Sequence, residues 1–126
     1  VRALEGHTRE VNEIAVWGSK AVSASTDGTL RVWGGGSDGP EVCEGVLRGH
    51  TGPPEQGGVL CVRARGTVAV SGGGDKTVRV WDISQLVCLQ VLEGHSQAVR
   101  HVAFGHGGWV LSKTWDGGVY VWRFTR

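Results

Sequence analysis

Ser71-Gly72-Gly73-Gly74-Asp75-Lys76-Thr77-Val78-Arg79-Val80-Trp81-Asp82 sets a serine, an aspartate and a tryptophan four and then six residues apart. The same two spacings recur at Ser23, Asp27 and Trp33, and again at Ser112, Asp116 and Trp122. Upstream of each set stands a Gly-His pair, at His7, His50 and His95, so the pairs lie 43 and 45 residues apart. Register this strict over so long a period belongs to a repeat in which each unit is one supersecondary element stacked on the next.

Between these markers apolar and polar residues alternate, with Gly and Asp as punctuation, which reads as β-strands joined by tight turns. The first unit predicts strands at 11–16, 21–25, 29–33 and 42–47, and the second at 59–64, 67–71, 77–81 and 86–92. The third predicts 99–104, 109–112 and 118–122 and has no fourth strand, whereas residues 1–4 read as a fourth strand whose other members are absent.

The motifs resemble the WD40 repeat over nearly the whole chain. Leu4-Glu5-Gly6-His7, Leu47-Arg48-Gly49-His50 and Leu92-Glu93-Gly94-His95 are similar to the family's Gly-His signature, and 27–33, 75–81 and 116–122 to its closing strand. Only Trp81-Asp82 keeps the literal Trp-Asp pair; Gly34 and Arg123 follow the other two tryptophans. The resemblance implies an all-β β-propeller of four-stranded antiparallel blades. Residues 1–6 would then be a strand of a neighbouring or closing blade, 7–49 and 50–94 full blades, and 95–126 a blade lacking its fourth strand. A propeller needs roughly four to eight blades, so about three would leave two apolar faces bare. The expectation is that the chain is the C-terminal part of a longer propeller; the rival is a homo-oligomeric ring.

Composition fits a turn-rich β protein, with 22 glycines, three prolines and no methionine. A net charge of +1, with both signs scattered, gives no clear nucleic-acid or membrane signal. No apolar stretch approaches the roughly 18 residues of a membrane span and residues 1–8 show no signal-peptide core, so the expectation is an intracellular protein, cytoplasmic or nuclear. Cys43, Cys61 and Cys88 lack metal-ligand spacing and read as reduced thiols behaving as small buried hydrophobes.

Ser, His and Asp together invite a hydrolase reading. A triad is needed once, however, and this set occurs three times, each with a Trp whose indole N–H needs an acceptor if buried. The resemblance implies instead a structural hydrogen-bond chain, Trp to Ser to His to Asp, in each blade, so no catalytic residue is expected. The Gly-x-Gly-x-x-Gly match at 34–39 leads into a strand instead of a helix, and Asp75 breaks the faint phosphate-loop likeness around Gly74. His101 and His106 have no Cys or carboxylate to complete a metal set. No cofactor and no metal is expected.

Recognition of other proteins or peptides remains. The resemblance places the loops after each unit's fourth strand and the turns between its second and third strands on one binding face. That puts Trp115, Thr26 and Gly74 there, flanked by Arg9, Glu10 and Gln97, with Glu55 and Gln56 in a loop five residues longer than its counterparts. Trp115 is the expected anchor. Trp17 and Trp109 fall at the opposite end and read as core packing. The expected function is a non-catalytic scaffold for protein–protein interactions. The alternatives are a substrate-receptor propeller of a ubiquitin ligase, as some F-box proteins carry, a reader of modified peptide tails, and, last, a serine hydrolase.

Overall fold

The computed structural model describes residues 3–36, 40–51 and 56–124. Eleven strands and no α-helix are present among them. In chain order they are β1 (Val11–Trp17), β2 (Lys20–Ser25), β3 (Thr29–Gly35), β4 (Pro40–Arg48), β5 (Val59–Arg65), β6 (Val68–Gly73), β7 (Val78–Asp82), β8 (Val87–Leu92), β9 (Val99–Phe104), β10 (Trp109–Thr114) and β11 (Val119–Arg123). They form three antiparallel meanders, β1 to β4, β5 to β8 and β9 to β11, with neighbours in sequence paired in space. Each of the eleven strands predicted between residues 11 and 122 matches an observed one, with ends moved by at most two residues, whereas the strand predicted at residues 1–4 is not found among the described residues 3 and 4. Residues 3–10 carry no strand, and residues 1 and 2 lie outside the described residues.

The pairing register decides which side chains share a sheet face. Ser23 lies opposite Ile14 and Arg31, Ser71 opposite Val62 and Arg79, and Ser112 opposite Val102 and Tyr120. The serine face of each blade is turned toward the preceding blade, and the valine face toward the following one. Thus Val22, Ala24, Leu30 and Val32 of the first sheet pack against Val62 and Trp81 of the second. Val70, Val78 and Val80 of the second sheet pack in turn against Val102, Val110 and Trp122 of the third. β1 and β2 stack on β5, and β5 and β6 stack on β9, so the first strands lie innermost.

Two polar clamps reinforce the first junction. The Asn12 amide Nδ2 donates to the carbonyls of Gly57 and Val59 at 3.1 and 2.8 Å. The Glu13 carboxylate accepts from the Val62 amide at 2.9 Å and from Arg63 Nη1 at 2.8 Å.

The stack leaves its two outer faces bare. Ile14 and Val16, on the serine face of the first sheet, are 61% and 65% exposed, and Val119 and Val121, on the valine face of the third, 65% and 58%. The thiols divide as well. Cys61 is buried, and burial pushes its pKa up to about 12, with the Glu13 charge adding to the effect. Cys43 and Cys88 are exposed, contrary to the buried reading, because both stand on the outer fourth strand, which has no neighbour beyond it.

Candidate functional site

Two groups of side chains stand out: the repeated polar chain in each blade, and a cleft where the blades' first strands begin. In the first blade Trp33 Nε1 donates to Ser23 Oγ at 2.9 Å. Ser23 Oγ is 2.6 Å from His7 Nε2, and His7 Nδ1 is 3.0 Å from Asp27 Oδ2. The second blade repeats this with Trp81 to Ser71 at 2.8 Å, Ser71 to His50 at 2.7 Å and His50 to Asp75 at 3.0 Å. One donor sense satisfies every member: indole N–H to serine oxygen, serine O–H to Nε2, Nδ1–H to carboxylate.

The loops are built to hold the carboxylates. Thr29 and Thr77, two residues after each Asp, donate both their amide and their hydroxyl to it. The amides of Thr8 and Thr51, just after each histidine, donate at 3.1 and 2.9 Å. Burial by itself would raise Asp27 and Asp75. For Asp27 the hydrogen bonds from Thr29, His7 and the Thr8 amide win, and for Asp75 those from His50, the Thr51 amide and Thr77. Both carboxyls are held well below the usual carboxylate range. Glycine precedes each histidine for steric reasons. A Cβ on Gly49 would stand 2.8 Å from the Arg79 guanidinium and 3.1 Å from the Trp81 ring.

The third blade departs from the expected chain. Trp122 donates to Ser112 at 2.7 Å and Ser112 meets His95 Nε2 at 2.6 Å. His95 Nδ1, however, is buried without a partner. Asp116 is exposed and accepts from the Gly118 amide at 3.1 Å and from the Thr114 hydroxyl instead. The cause is local sequence. Gly118 stands where the other blades have Thr29 and Thr77, and Tyr120 replaces Arg31 and Arg79, its ring centroid 4.0 Å from that of His95. Burial lowers the His95 pKa, against a smaller raising effect of the Asp116 charge.

At the end of the molecule that carries the turn aspartates lies a cleft of about 490 Å³. The second residue of each innermost strand lines it, namely Asn12, Leu60 and Arg100, together with Lys113 and Trp115 from the β10–β11 side. Trp115 is 77% exposed and carries the Arg100 guanidinium 4.4 Å above its ring. Glu13 also lines the cleft, but its carboxylate is engaged by Arg63 and the Val62 amide. The balance of the lining is therefore aromatic and cationic.

The other residues expected on this face divide. Arg9, Glu10, Gln97 and Gln56 are exposed, and Glu55 lies outside the described residues. Thr26 is only 8% exposed, its hydroxyl tied to Asn12 and its amide to the Glu10 carbonyl. Gly74 is buried under Gln56, whose carbonyl would lie 2.0 Å from a Cβ there. These two positions hold turns together and offer no side chain to a partner. Sequence reading passed over Arg100 and Lys113. Their signal is the strand pattern itself, since Arg100 occupies the same repeat position as Asn12 and Leu60.

The WD domain, G-beta repeat family matches residues 1–34, 41–82 and 86–123 of this sequence. The chain belongs to the WD40-repeat family. Similar proteins include the F-box/WD repeat-containing protein sel-10 of Caenorhabditis elegans, 38% identical over 104 residues that make up 82% of this chain and 17% of that protein. A probable coatomer subunit beta' of Schizosaccharomyces pombe is 30% identical over 98% of this chain and 16% of its own length. THO complex subunit 3 of Arabidopsis thaliana is 30% identical over 83% of the chain and 36% of its own length. The chain thus spans less than a fifth of the length of the first two relatives. WD40 repeats generally serve as protein-interaction scaffolds and are generally non-catalytic. Among the described residues, no helix is long and apolar enough to cross a membrane.

Proposed function

We propose that these WD40 blades form part of an intracellular scaffold that docks a protein or peptide partner at the cleft bearing Trp115 and Arg100, without chemistry of its own. One observation carries the docking reading: Trp115 projects 77% exposed at the mouth of a cleft to which all three blades contribute a side chain. A large aromatic held at a concave, multi-blade junction is the kind of anchor that dominates protein interfaces. The non-catalytic reading is supported by Ser71 and Ser23. Both are buried, and each oxygen already accepts an indole N–H, which leaves it poorly placed to attack a substrate carbonyl.

A second reading, a substrate receptor in ubiquitin ligation, draws support from the similarity to an F-box/WD repeat-containing protein. In that case the cleft would receive the substrate's peptide segment. A reader of modified peptide tails would use the same cleft. In all three the bare faces are covered by further blades from a longer chain, which suits the small share of its relatives that this chain spans.

The test compares Trp115→Ala with Trp122→Ala in the complete propeller. Trp115→Ala should weaken binding of an affinity-purified partner by about 2 kcal/mol or more with unchanged circular dichroism, while Trp122→Ala should damage folding. Unchanged partner affinity, or unfolding by Trp115→Ala, would remove the site from this cleft.

A further inference from the structure

Register divides the third sheet into a face packed on the second sheet and a face with nothing over it. On the bare face Lys113 lies opposite His101 and Val119, Leu111 opposite Ala103 and Val121, and Trp109 opposite Arg123. Ala103, Leu111, Val119 and Val121 thus make an apolar floor, with His101 and Lys113 at the end nearer Trp115 and with Trp109 and Arg123 at the other. This is why Trp109, expected in the core, is 40% exposed; Trp17, expected there too, is 49% exposed at the mouth of a cleft between the first two sheets. The floor holds a hollow of about 150 Å³, lined by His101, Ala103, Leu111, Lys113 and Val119 among others.

The two inner junctions show what meets the same register position. Glu13 opposite Ala24 holds it in the first sheet and Cys61 opposite Gly72 in the second, where the third has His101 opposite Lys113. Glu13 reaches forward, accepting from the Val62 amide and Arg63 of the following sheet. Gly72 lies so close to the following sheet that a Cβ would stand 2.5 Å from Val99 Cγ1. The first sheet therefore offers its neighbour an acid and the second a close apolar contact, whereas the third offers bases. β9, β10 and β11 contain no Asp or Glu. Among the described residues the side chains of His101, Lys113 and Arg123 have no hydrogen bond or ion pair, Arg123 only lying 4.9 Å over the Trp109 ring. By contrast, Arg63 is paired with Glu13, Arg65 donates to the carbonyls of Gly105 and Gly107, and Lys20 meets Glu44.

We propose that the bare face of the third sheet is covered by a further blade that seats a glutamate in this hollow, its stem on Leu111 and Val119 and its carboxylate between Lys113 and His101. The apolar floor needs a cover. Any such cover buries the Lys113 stem, so the ammonium group requires an anionic partner or is left uncompensated. The hollow is about half the lower end of the roughly 300–1,000 Å³ usual for small-molecule sites and suits one side chain. A second copy of this chain matches the floor in apolar pattern but not in charge. The face it would present, that of Ile14, Val16 and Ser23, carries Arg31, and β1 to β3 turn no carboxylate to it. The inference rests on the reading that further blades cover the stack and is independent of docking at Trp115.

Two measurements on the full chain that carries these blades test it. Lys113 also borders the Trp115 cleft, so reactivity and stability are read instead of partner binding. Acylation by an N-hydroxysuccinimide ester, followed by mass spectrometry, compares Lys113 with the exposed Lys76 of the same molecule. Lys113 should react about tenfold or more slowly, since a covered group reacts only through local opening. Urea midpoints are then compared for the parent, Lys113→Met, which keeps the stem and removes the charge, and Lys113→Glu, each checked by circular dichroism. Both variants should lower the midpoint, the reversal further because it sets two carboxylates together, and high salt should narrow the gap between them. Equal reactivity of Lys113 and Lys76 would leave the face bare and overturn the cover and the glutamate alike. Protection of Lys113 with a midpoint that Lys113→Met leaves unchanged or raises would keep the cover and overturn the glutamate. A midpoint that rises with protein concentration would assign the face to a second copy and overturn the proposal.

Discussion

Asp75 shows how one short side chain organises a blade. It accepts from His50, the Thr51 amide, and the Thr77 amide and hydroxyl, so its loss would leave several buried or half-buried donors unpaired. Asp75→Ala or Ser71→Ala should each lower stability by about 1–3 kcal/mol, read as a shifted urea midpoint in the complete domain. Asp116→Ala should shift that midpoint less, because Asp116 is exposed, makes no bond to His95 and holds only the Thr114 hydroxyl and the Gly118 amide. Equal losses in the two blades would show that the third chain closes in solution.

The same carboxylates set an acid limit. Asp27 and Asp75 are depressed in the fold, so the unfolded chain binds more protons as pH falls. Their contribution is whole above about pH 4 and is lost progressively below it. His95 acts at higher pH. Its pKa is lowered in the fold, so the unfolded chain protonates first and stability declines as pH drops through about 6.5. Urea midpoints measured from pH 8 to 3 should show a shallow decline near 6.5 and a steeper one below 4, and His95→Gln should remove only the first.

At the scale of elements, the second blade is the most secure. It has neighbours on both faces and a complete polar chain, whereas the third has one bare face and an orphaned His95 nitrogen. Backbone amides of β10 and β11 should therefore exchange with deuterium faster than those of β6 and β7 in the complete domain, since local opening tracks missing packing and hydrogen bonds. Gly118→Thr should narrow the gap by restoring the hydroxyl that Thr29 and Thr77 supply. The site has limited room, with Tyr120 3.1 Å and Asp116 3.3 Å from the added Cβ, so a modest shift of Tyr120 must accompany it. Unchanged exchange in this variant would mean that Tyr120, and not the missing hydroxyl, keeps Asp116 from His95.

For the whole molecule the decisive quantity is uncovered apolar surface. Ile14 at one end of the stack has Val62 and Val102 as its counterparts at the inner junctions, and Val119 and Val121 at the other end have Val78 and Val80, all buried, while Ala64 and Phe104, the counterparts of Val16, are half-buried. The two outer faces are thus complementary in kind, serine face to valine face, as at each inner junction. The 126-residue chain alone should aggregate or close into an oligomer, as light scattering after gel filtration would record. A folded monomer at micromolar concentration would contradict that reading.

Much of this architecture was legible in residue order alone. The alternation between the Ser, Asp and Trp markers predicted the eleven strands, because turn chemistry and period-two burial are local properties, and the likeness to the WD40 repeat implied their antiparallel blades; the further strand expected at residues 1–4 is not found among the described residues 3 and 4. The same spacing marked which residues could form a polar chain, and the geometry made that chain in two blades. What lay beyond local pattern needed the stacked sheets. Trp17 and Trp109, expected in the core, are 49% and 40% exposed, Trp109 because it shares the uncovered face of the third sheet with Leu111 and Val121, and the exposure of Cys43 and Cys88 depends on whether any strand lies outside the fourth. That His95 loses its aspartate depends on a tyrosine two residues beyond a glycine, a contest between neighbouring side chains for one space. The Trp115 cleft exists only because Asn12, Leu60 and Arg100, some 40 to 48 residues apart in the chain, begin three strands side by side. Residue order determined the blades; packing between blades decided what their surfaces can bind.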